Sequence, residues 1–493
     1  MKIKNIALFM LCLLCAASAI ACGDQETAID AVQTTEPFVE TQTEEEPTKY
    51  TADYLPDTDY NGDSFRIAAY EEYPLHMEEG SGNIIDDAIY ERNALAEEKY
   101  NITIEETRYT YAGGGYSNVY DLLHKAAMSG TDDYDLYFVV FGDAYKGLME
   151  GAVPPAYTLN HTDPTQPWYF TALNENLNIG GLQLLYYTAF DKNPGGKALV
   201  FNKKILTDRD IELPYNSVND GTWTYEKFYN IVRSVGSDVN GNGTADENDL
   251  FGFITAMDDY TDFAYYGSGL KLVDFSSGTP TINQNETLFD MFMLASEQKS
   301  DAYAILNATT FFKNSANADI MQMELDMFTG GHGLFIQAYV SNLIKLGDMQ
   351  DDYGIVPYPK WTENQDRYYC GLDGSRIAVP CTSSKDLDQV SIIKEYLSVE
   401  SLNINYPAYY EVSLKDRYVR DTESIQMLEI ITASSAYDVG CAMDYDAIRG
   451  PWLNSLNSNK ADFASAVSKN LKRAEKVITK LMENIDMLKG MYE

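Results

Sequence analysis

Histidine is nearly missing from this chain: 493 residues carry 4, too scattered to seed a His-rich metal site or a Ser-His-Asp arrangement. Cysteine is sparse too. Of the 6 cysteines, Cys12 and Cys15 form a C-x-x-C inside an apolar N-terminal run, where neither zinc nor redox chemistry is expected. Positive charge is short, with 36 Lys+Arg against 75 Asp+Glu and a net charge of −39, a field that repels phosphate and excludes nucleic acid as the default partner. No G-x-S-x-G, H-E-x-x-H or P-loop occurs. Acidic pairs are too common here to single out a glycosidase. Nothing therefore points to an enzyme or to a cofactor for chemistry. What is present is a globular composition, 45% hydrophobic and 23% charged, with 38 Tyr, 20 Phe and 4 Trp. So many phenols cannot all find buried partners, and partly exposed tyrosines suit a binding surface. At roughly 150 residues per domain the length allows about three domains or one large two-lobed body.

The N-terminus reads as targeting. Lys2 and Lys4 precede an apolar run from Ile6 to Ala21, short for a membrane span and suited to a signal-peptide core. Ala19-Ile20-Ala21-Cys22-Gly23 resembles the bacterial lipobox, in which the cysteine is diacylated and becomes the new N-terminus; Ala19 stands where leucine is commoner. An ordinary secretory signal is the competing reading. From Gly23 to about Asp57 the chain is rich in Thr, Glu, Pro and Gln, including Glu44-Glu45-Glu46-Pro47, and predicts a self-repelling disordered stalk. The expected layout is a signal peptide over 1–21 and a lipid anchor with acidic stalk over 22–58. That places the folded body at the outer face of a cell membrane.

Beyond Phe65 the pattern is α/β. Phe65–Tyr70, Ile102–Thr107 and Asp135–Val140 read as strands. A helix between the first two is capped by Asn83, with Asp86 and Asp87 in its first turn, and another spans Asn118–Met128 before Gly130. This β-α-β-α-β order predicts a parallel sheet with right-handed crossovers, whose ligands sit beyond the strands' carboxyl ends, near Tyr70 to Tyr73 and Phe141 to Asp143. Further on, Leu182–Phe190, Lys197–Asn202 and Leu334–Tyr339 read as strands. Thr224–Val235 reads as a helix with Thr224 as N-cap and Trp223 stapled onto Phe228. Ile320–Phe328 is helical, and Ala461–Leu488 is a long amphipathic helix.

Four stretches carry a family resemblance. They are Ile84-Ile85-Asp86-Asp87-Ala88-Ile89-Tyr90-Glu91-Arg92-Asn93; Phe201-Asn202-Lys203 followed by Gly221-Thr222-Trp223-Thr224; Phe328-Thr329-Gly330-Gly331-His332-Gly333-Leu334-Phe335; and Tyr353-Gly354-Ile355-Val356-Pro357-Tyr358-Pro359-Lys360. In order and spacing the set resembles the extracellular solute-binding lipoproteins of ABC importers, family 1, the clostridial-type branch associated with sugars. The resemblance implies a two-lobed periplasmic-binding-protein-like fold of type II with a ligand cleft between the lobes. By that analogy lobe 1 covers 60–163 plus 364–410, and lobe 2 covers 164–363 plus 411–493. It implies a monomer that captures a carbohydrate, an oligosaccharide, and delivers it to an ABC permease. Two alternatives stay open: a cell-surface glycan-binding or glycan-degrading protein without a transporter, and the same fold binding a peptide or other polar solute.

Candidate ligand contacts are Tyr70, Asp143, Gln337, Tyr339, Asp373 and Trp452, taken from strand ends and loops, because sugar sites combine aromatic faces with amides and carboxylates. Trp452 follows Arg449-Gly450-Pro451 and is expected in a loop. Trp168, Trp223 and Trp361 are also candidate platforms, with core packing as the competing role. The segment Asp238 to Asp249 fits the calcium-loop template: Asp238, Asn240, Asn242 and Asp249 at positions 1, 3, 5 and 12, Gly243 at the sharp turn and the Thr244 carbonyl at position 7. Asp249 stands where a longer Glu is usual, and an Asx-rich surface loop is the competing reading. Cys370 and Cys381 could pair outside the cell, leaving Cys441 free, or all three could stay thiols.

Overall fold

The computed structural model of the protein describes residues 49–110, 118–179, 181–191, 196–275, 280–312, 319–372, 376–409, 420–440, 447–457 and 462–492. The apolar run, Cys22, Asp373 and Cys441 lie outside the described residues.

The first sheet follows the predicted alternation. β1 (Asp63–Tyr70) pairs in parallel with β2 (Ile102–Tyr109), Phe65 opposite Ile104, and with β3 (Leu136–Val140), Ile67 opposite Leu136. Between them run α1 (Ile84–Tyr100) and α2 (Asn118–Ser129). The Asn83 side chain accepts the N–H of Ile85 at 2.9 Å, and α1 stops at Asn101, which takes the left-handed conformation with φ 48°. α3 (Phe141–Glu150) leaves β3 without a loop. A strand from much later in the chain, β9 (Arg376–Val379), returns antiparallel to β3 and completes the order β9-β3-β1-β2.

The second sheet has the order β6-β5-β7-β4-β8, from β4 (Lys197–Asn202), β5 (Phe251–Thr255), β6 (Ile305–Asn307), β7 (Gly333–Tyr339) and β8 (Tyr353–Val356). All residues of β4, β5 and β8 are buried, as expected of strands covered on both faces. Its helices include α4 (Tyr225–Val235), α5 (Met257–Gly267), α6 (Glu286–Gln298) and α7 (Ile320–Thr329). Thr224 caps α4, and the Trp223 ring meets Phe228 edge-on at 6.1 Å, the staple the sequence predicts. The remaining helices are α8 (Leu387–Glu400), α9 (Thr422–Ala433), α10 (Gly450–Asn457) and α11 (Phe463–Tyr492).

The stretches behind the family resemblance act as joints. Arg92 Nη2 and Asn93 Nδ2 both donate to the Leu75 carbonyl, at 2.5 and 3.0 Å, pinning the loop that leaves β1. Burial lowers the Arg92 guanidinium to about 9. The Lys360 N–H donates to the Trp223 carbonyl at 3.0 Å, and the indole N–H donates to the Pro357 carbonyl at 3.0 Å, so two of the quoted stretches clasp each other.

Several expectations are corrected. Leu182–Phe190 is not a strand beyond Leu182–Gln183. Leu184, Leu185, Tyr187, Ala189 and Phe190 are buried, but the backbone is held by side chains: Asn174 donates to the Tyr187 carbonyl and accepts its N–H, both at 2.8 Å. Residues 49–58 do not belong to a disordered stalk. Ala52 and Leu55 pack against Trp168, Tyr169 and Val399, Lys49 pairs with Glu400 at 3.2 Å, and Tyr50 and Asn403 exchange two hydrogen bonds of 2.9 Å. Four apolar or aromatic residues in six, at 50, 52, 54 and 55, are enough to seat the segment despite the acidic run before it. The lobe boundaries shift as well. Leu173, Leu177, Ile179, Leu184 and Leu185 share a core with β1 and β3, so the chain after 164 stays with the first sheet until near Tyr187. Cys370 and Cys381 are both free, because Cys370 sits in the second sheet's core and Cys381 in the first's. Burial pushes the Cys370 thiol up to about 12.

Candidate functional site

A groove of about 590 Å³ opens where the two cores meet. One wall is Thr171, Asn174, Glu175, Asn178, Gln183 and Tyr186, carried on the segment that packs under the first sheet. The other is Lys271, Asp274 and Phe275, next to Leu272 and Val273 of the second sheet's core. Phe275 packs against both cores. Thr171, Glu175 and Asp274 are exposed, which leaves the groove open to solvent. Its size suits a small-molecule ligand, and amides among aromatic rings suit a polyhydroxylated one.

The wall is built by amides that hold the backbone and face the groove together. Gln183 Nε2 donates to the Asn174 and Leu185 carbonyls at 3.0 and 2.7 Å, and its other end remains for a ligand. Lys271 also lines a smaller adjoining cavity with Asn176, Tyr266, Tyr369, Tyr437 and Asp438. Here Gly269, at φ 68°, admits the Tyr369 ring; a Cβ would stand 2.4 Å from it. Arg367 lies over the same ring at 4.8 Å. Behind it Asp438 accepts from Tyr265 and from the Leu272 N–H at 2.7 Å, fixing the segment that carries Lys271.

The predicted contacts scatter. Gln337 and Tyr339 end β7 as expected, and both line a hole of about 20 Å³ with Lys197, Glu324 and Asn342. Both polar atoms of the Gln337 amide are buried there with no hydrogen-bond partner among the described residues. The Lys197 ammonium lies 4.9 Å from the Tyr339 ring centre. A Cβ on Gly371 would touch both Lys197 and Tyr266, at 3.3 and 3.5 Å, which links this cluster to the cavity beside Lys271. Tyr70 does end β1 but is fully buried in the first core, so it is no wall residue. Asp143 sits in the first turn of α3 with one oxygen buried and unpartnered; burial raises its carboxyl to about 6, with Asp121 adding to the rise and Lys146 opposing it. That sets it beside α2 rather than in the groove. Trp452 is corrected: it lies in α10, not a loop, and is 1% exposed between Phe292 and Phe289 at 4.7 and 4.9 Å. Trp168 and Trp223 are equally buried, and Trp361 packs on Tyr225.

The groove residues themselves are not among those singled out in the sequence. A signal existed in Asn174-Glu175-Asn176-Leu177-Asn178, an amide run between Trp168-Tyr169-Phe170 and Tyr186-Tyr187. Another cavity, between β9 and α8, holds only about 40 Å³ and is too small for a sugar.

The 238–249 segment makes the predicted turn. Asp238 accepts from Gly241 and Gly243 at 2.6 and 2.8 Å, and buried Asp249 accepts from Val239 and Asp246, both at 2.9 Å. Asn240 and Asn242 point amide nitrogens at Asp246, whose carboxyl is lowered to about 2 by the Asn248 N–H and these amides. A cation would require those two amides to turn their oxygens inward. Among the described residues no group of three or more His, Cys, Asp or Glu is placed to hold a metal ion.

No family profile matches the sequence. No curated protein matches it either. Solved structures do. The maltose/maltodextrin-binding domain MalE from Bdellovibrio bacteriovorus, bound to maltotriose, is 15% identical with a TM-score of 0.51, over 85% of this chain and 100% of that one. A sugar transporter protein from Rhizobium etli in an open conformation is 15% identical at 0.55, over 84% and 99%. An ABC substrate-binding protein from Listeria monocytogenes in complex with cycloalternan is 11% identical at 0.52, over 86% and 99%. At such identities the likeness speaks to fold. The chain has the two-lobed α/β fold of the periplasmic-binding-protein type, in agreement with its strand orders.

Proposed function

We propose that this protein is a membrane-anchored solute-binding protein that captures a carbohydrate, an oligosaccharide, in the groove between its sheets and delivers it to an ABC permease. The observation that carries the reading is the groove: about 590 Å³, open to solvent, with Asn174, Asn178, Gln183 and Glu175 beside Tyr186 and Phe275. The sugars held by structurally similar proteins support the ligand class. Binding rather than chemistry is the function. Ligand touching both walls favours closure through its differential affinity for the closed state.

A thermal-shift screen against mono- and oligosaccharides identifies the ligand, since binding raises the melting temperature by mass action. Calorimetry on Tyr186→Ala then shows affinity lower by at least about tenfold, near 1.4 kcal/mol, with the sugar recovered intact. Unchanged affinity in a cooperatively folding Tyr186→Ala protein would move the ligand elsewhere.

The anchor belongs to the same proposal. Cys22→Ala releases the protein from membranes with its body folded, and an N-terminus other than a modified Cys22 in the membrane-extracted protein refutes it. No described helix is long and apolar enough to cross a membrane. We also propose a structural calcium at Asp238, Asn240, Asn242, the Thr244 carbonyl and Asp249; none of these residues lines the groove. Calcium then raises the parent's melting temperature, and Asp238→Ala or Asp249→Ala abolishes the rise. Identical melting in calcium and in chelator rejects it.

A further inference from the structure

α11 carries one apolar stripe, Phe463, Val467, Ala474, Ile478, Leu481 and Ile485, at helical spacing along a single face. That stripe does not serve a single core. Phe463 through Ile478 join the second sheet's cluster, where α11 lies against α10 and α6. Leu481 and Ile485 join the first sheet's cluster, where α11 meets α3, and Asn484 Nδ2 donates to the Met149 carbonyl at 3.4 Å. The change of core falls between Ile478 and Leu481, within one helical turn.

We infer that α11 is a clasp that holds the two lobes in their ligand-receiving arrangement and opposes closure. This rests on reading the groove as a ligand site closed by lobe movement. An uninterrupted helix is stiff, so lobes that rotate about each other cannot both keep their seats on it. Either Leu481 and Ile485 leave α3 or the earlier turns leave α6. α3 is tied to the groove region through Phe141, whose ring packs on Tyr437 at 4.7 Å and stacks with Tyr187 at 5.8 Å. With the clasp engaged, Thr171, Glu175 and Asp274 remain exposed. A ligand that closes the groove must therefore undo these contacts, and its apparent affinity is reduced by the fraction of molecules already free of them.

The test compares Ile485→Ala with Ile478→Ala. Both remove a buried aliphatic side chain from the same stripe, but only Ile485 reaches the first core. Spin labels at Met128→Cys and Val239→Cys, both exposed, report the lobe separation in protein with Cys22 and Cys441 changed to serine. Without ligand, Ile485→Ala shortens or broadens the distance distribution and Ile478→Ala leaves it unchanged. The sugar found by the screen binds Ile485→Ala about five- to tenfold more tightly than the parent. Parent-like distances in a folded Ile485→Ala protein, or equal shifts in both variants, overturn the clasp. If no sugar binds the parent, the ligand reading fails while the ligand-free distances still decide the clasp.

Discussion

Trp452→Ala is expected to lower stability by about 3–5 kcal/mol, the usual cost of emptying a large aromatic site in a core. The indole is 1% exposed, lies within 5 Å of the Phe289 and Phe292 rings and stacks on Phe463 at 6.1 Å. No ring face is left for a sugar. Removing it opens a void between α6, α10 and the start of α11, three helices that cannot easily collapse on each other. Trp452→Phe retains part of the contact and falls between. Denaturant midpoints measure the loss. If Trp452→Ala keeps the parent's midpoint and fails to bind sugar, the indole is a ligand platform and its assignment to the core is wrong.

Glu395→Leu is expected to cost about 2–5 kcal/mol. This carboxylate is 2% exposed on α8 and accepts from Trp168 Nε1 at 2.9 Å and from the hydroxyls of Tyr54 and Tyr169. Among the described residues no cation pairs with it; burial raises its carboxyl, and the three ring donors pull the other way. Leucine fills much of the space but orphans the donors. Tyr54 can turn to water, whereas Trp168 and Tyr169 are buried, and each such group left unpaired costs about 1–3 kcal/mol. Glu395→Gln keeps one acceptor oxygen and presents an NH₂ to a donor, so it lands between the two. Urea titration gives the order, and amide exchange over 50–56 should quicken in Glu395→Leu. A parent-like midpoint for that variant would show the donors find other partners.

Local rules made much of the fold legible. Asn83 and Thr224 as caps, Trp223 on Phe228, and the βαβαβ opening all depend on neighbours within a few residues or on a repeating period. The site was harder because its parts depend on distant partners. Trp452 follows Gly-Pro and looks exposed until Phe289 and Phe292, some 160 positions earlier, close over it. Leu182–Phe190 has the composition of a strand, yet Asn174 satisfies its backbone and leaves it irregular, and that irregularity shapes the groove wall. Gln337 and Tyr339 do end a strand, but they line a small hole apart from the groove; Tyr70 also ends a strand and is buried, since the topological rule does not say which side chain the neighbouring core will claim.

The seating of residues 49–55 has a mechanical consequence. Lys49, Tyr50 and Tyr54 attach to Glu400, Asn403 and Glu395, all on α8 or the turn after it, and α8 packs on the first sheet. Any pull arriving along the chain from before Lys49 therefore enters the half that holds β1, β2 and β3. If the proposed anchor holds the chain, that half is the one coupled to the support, and the half built on β4 to β8 is reached only through it.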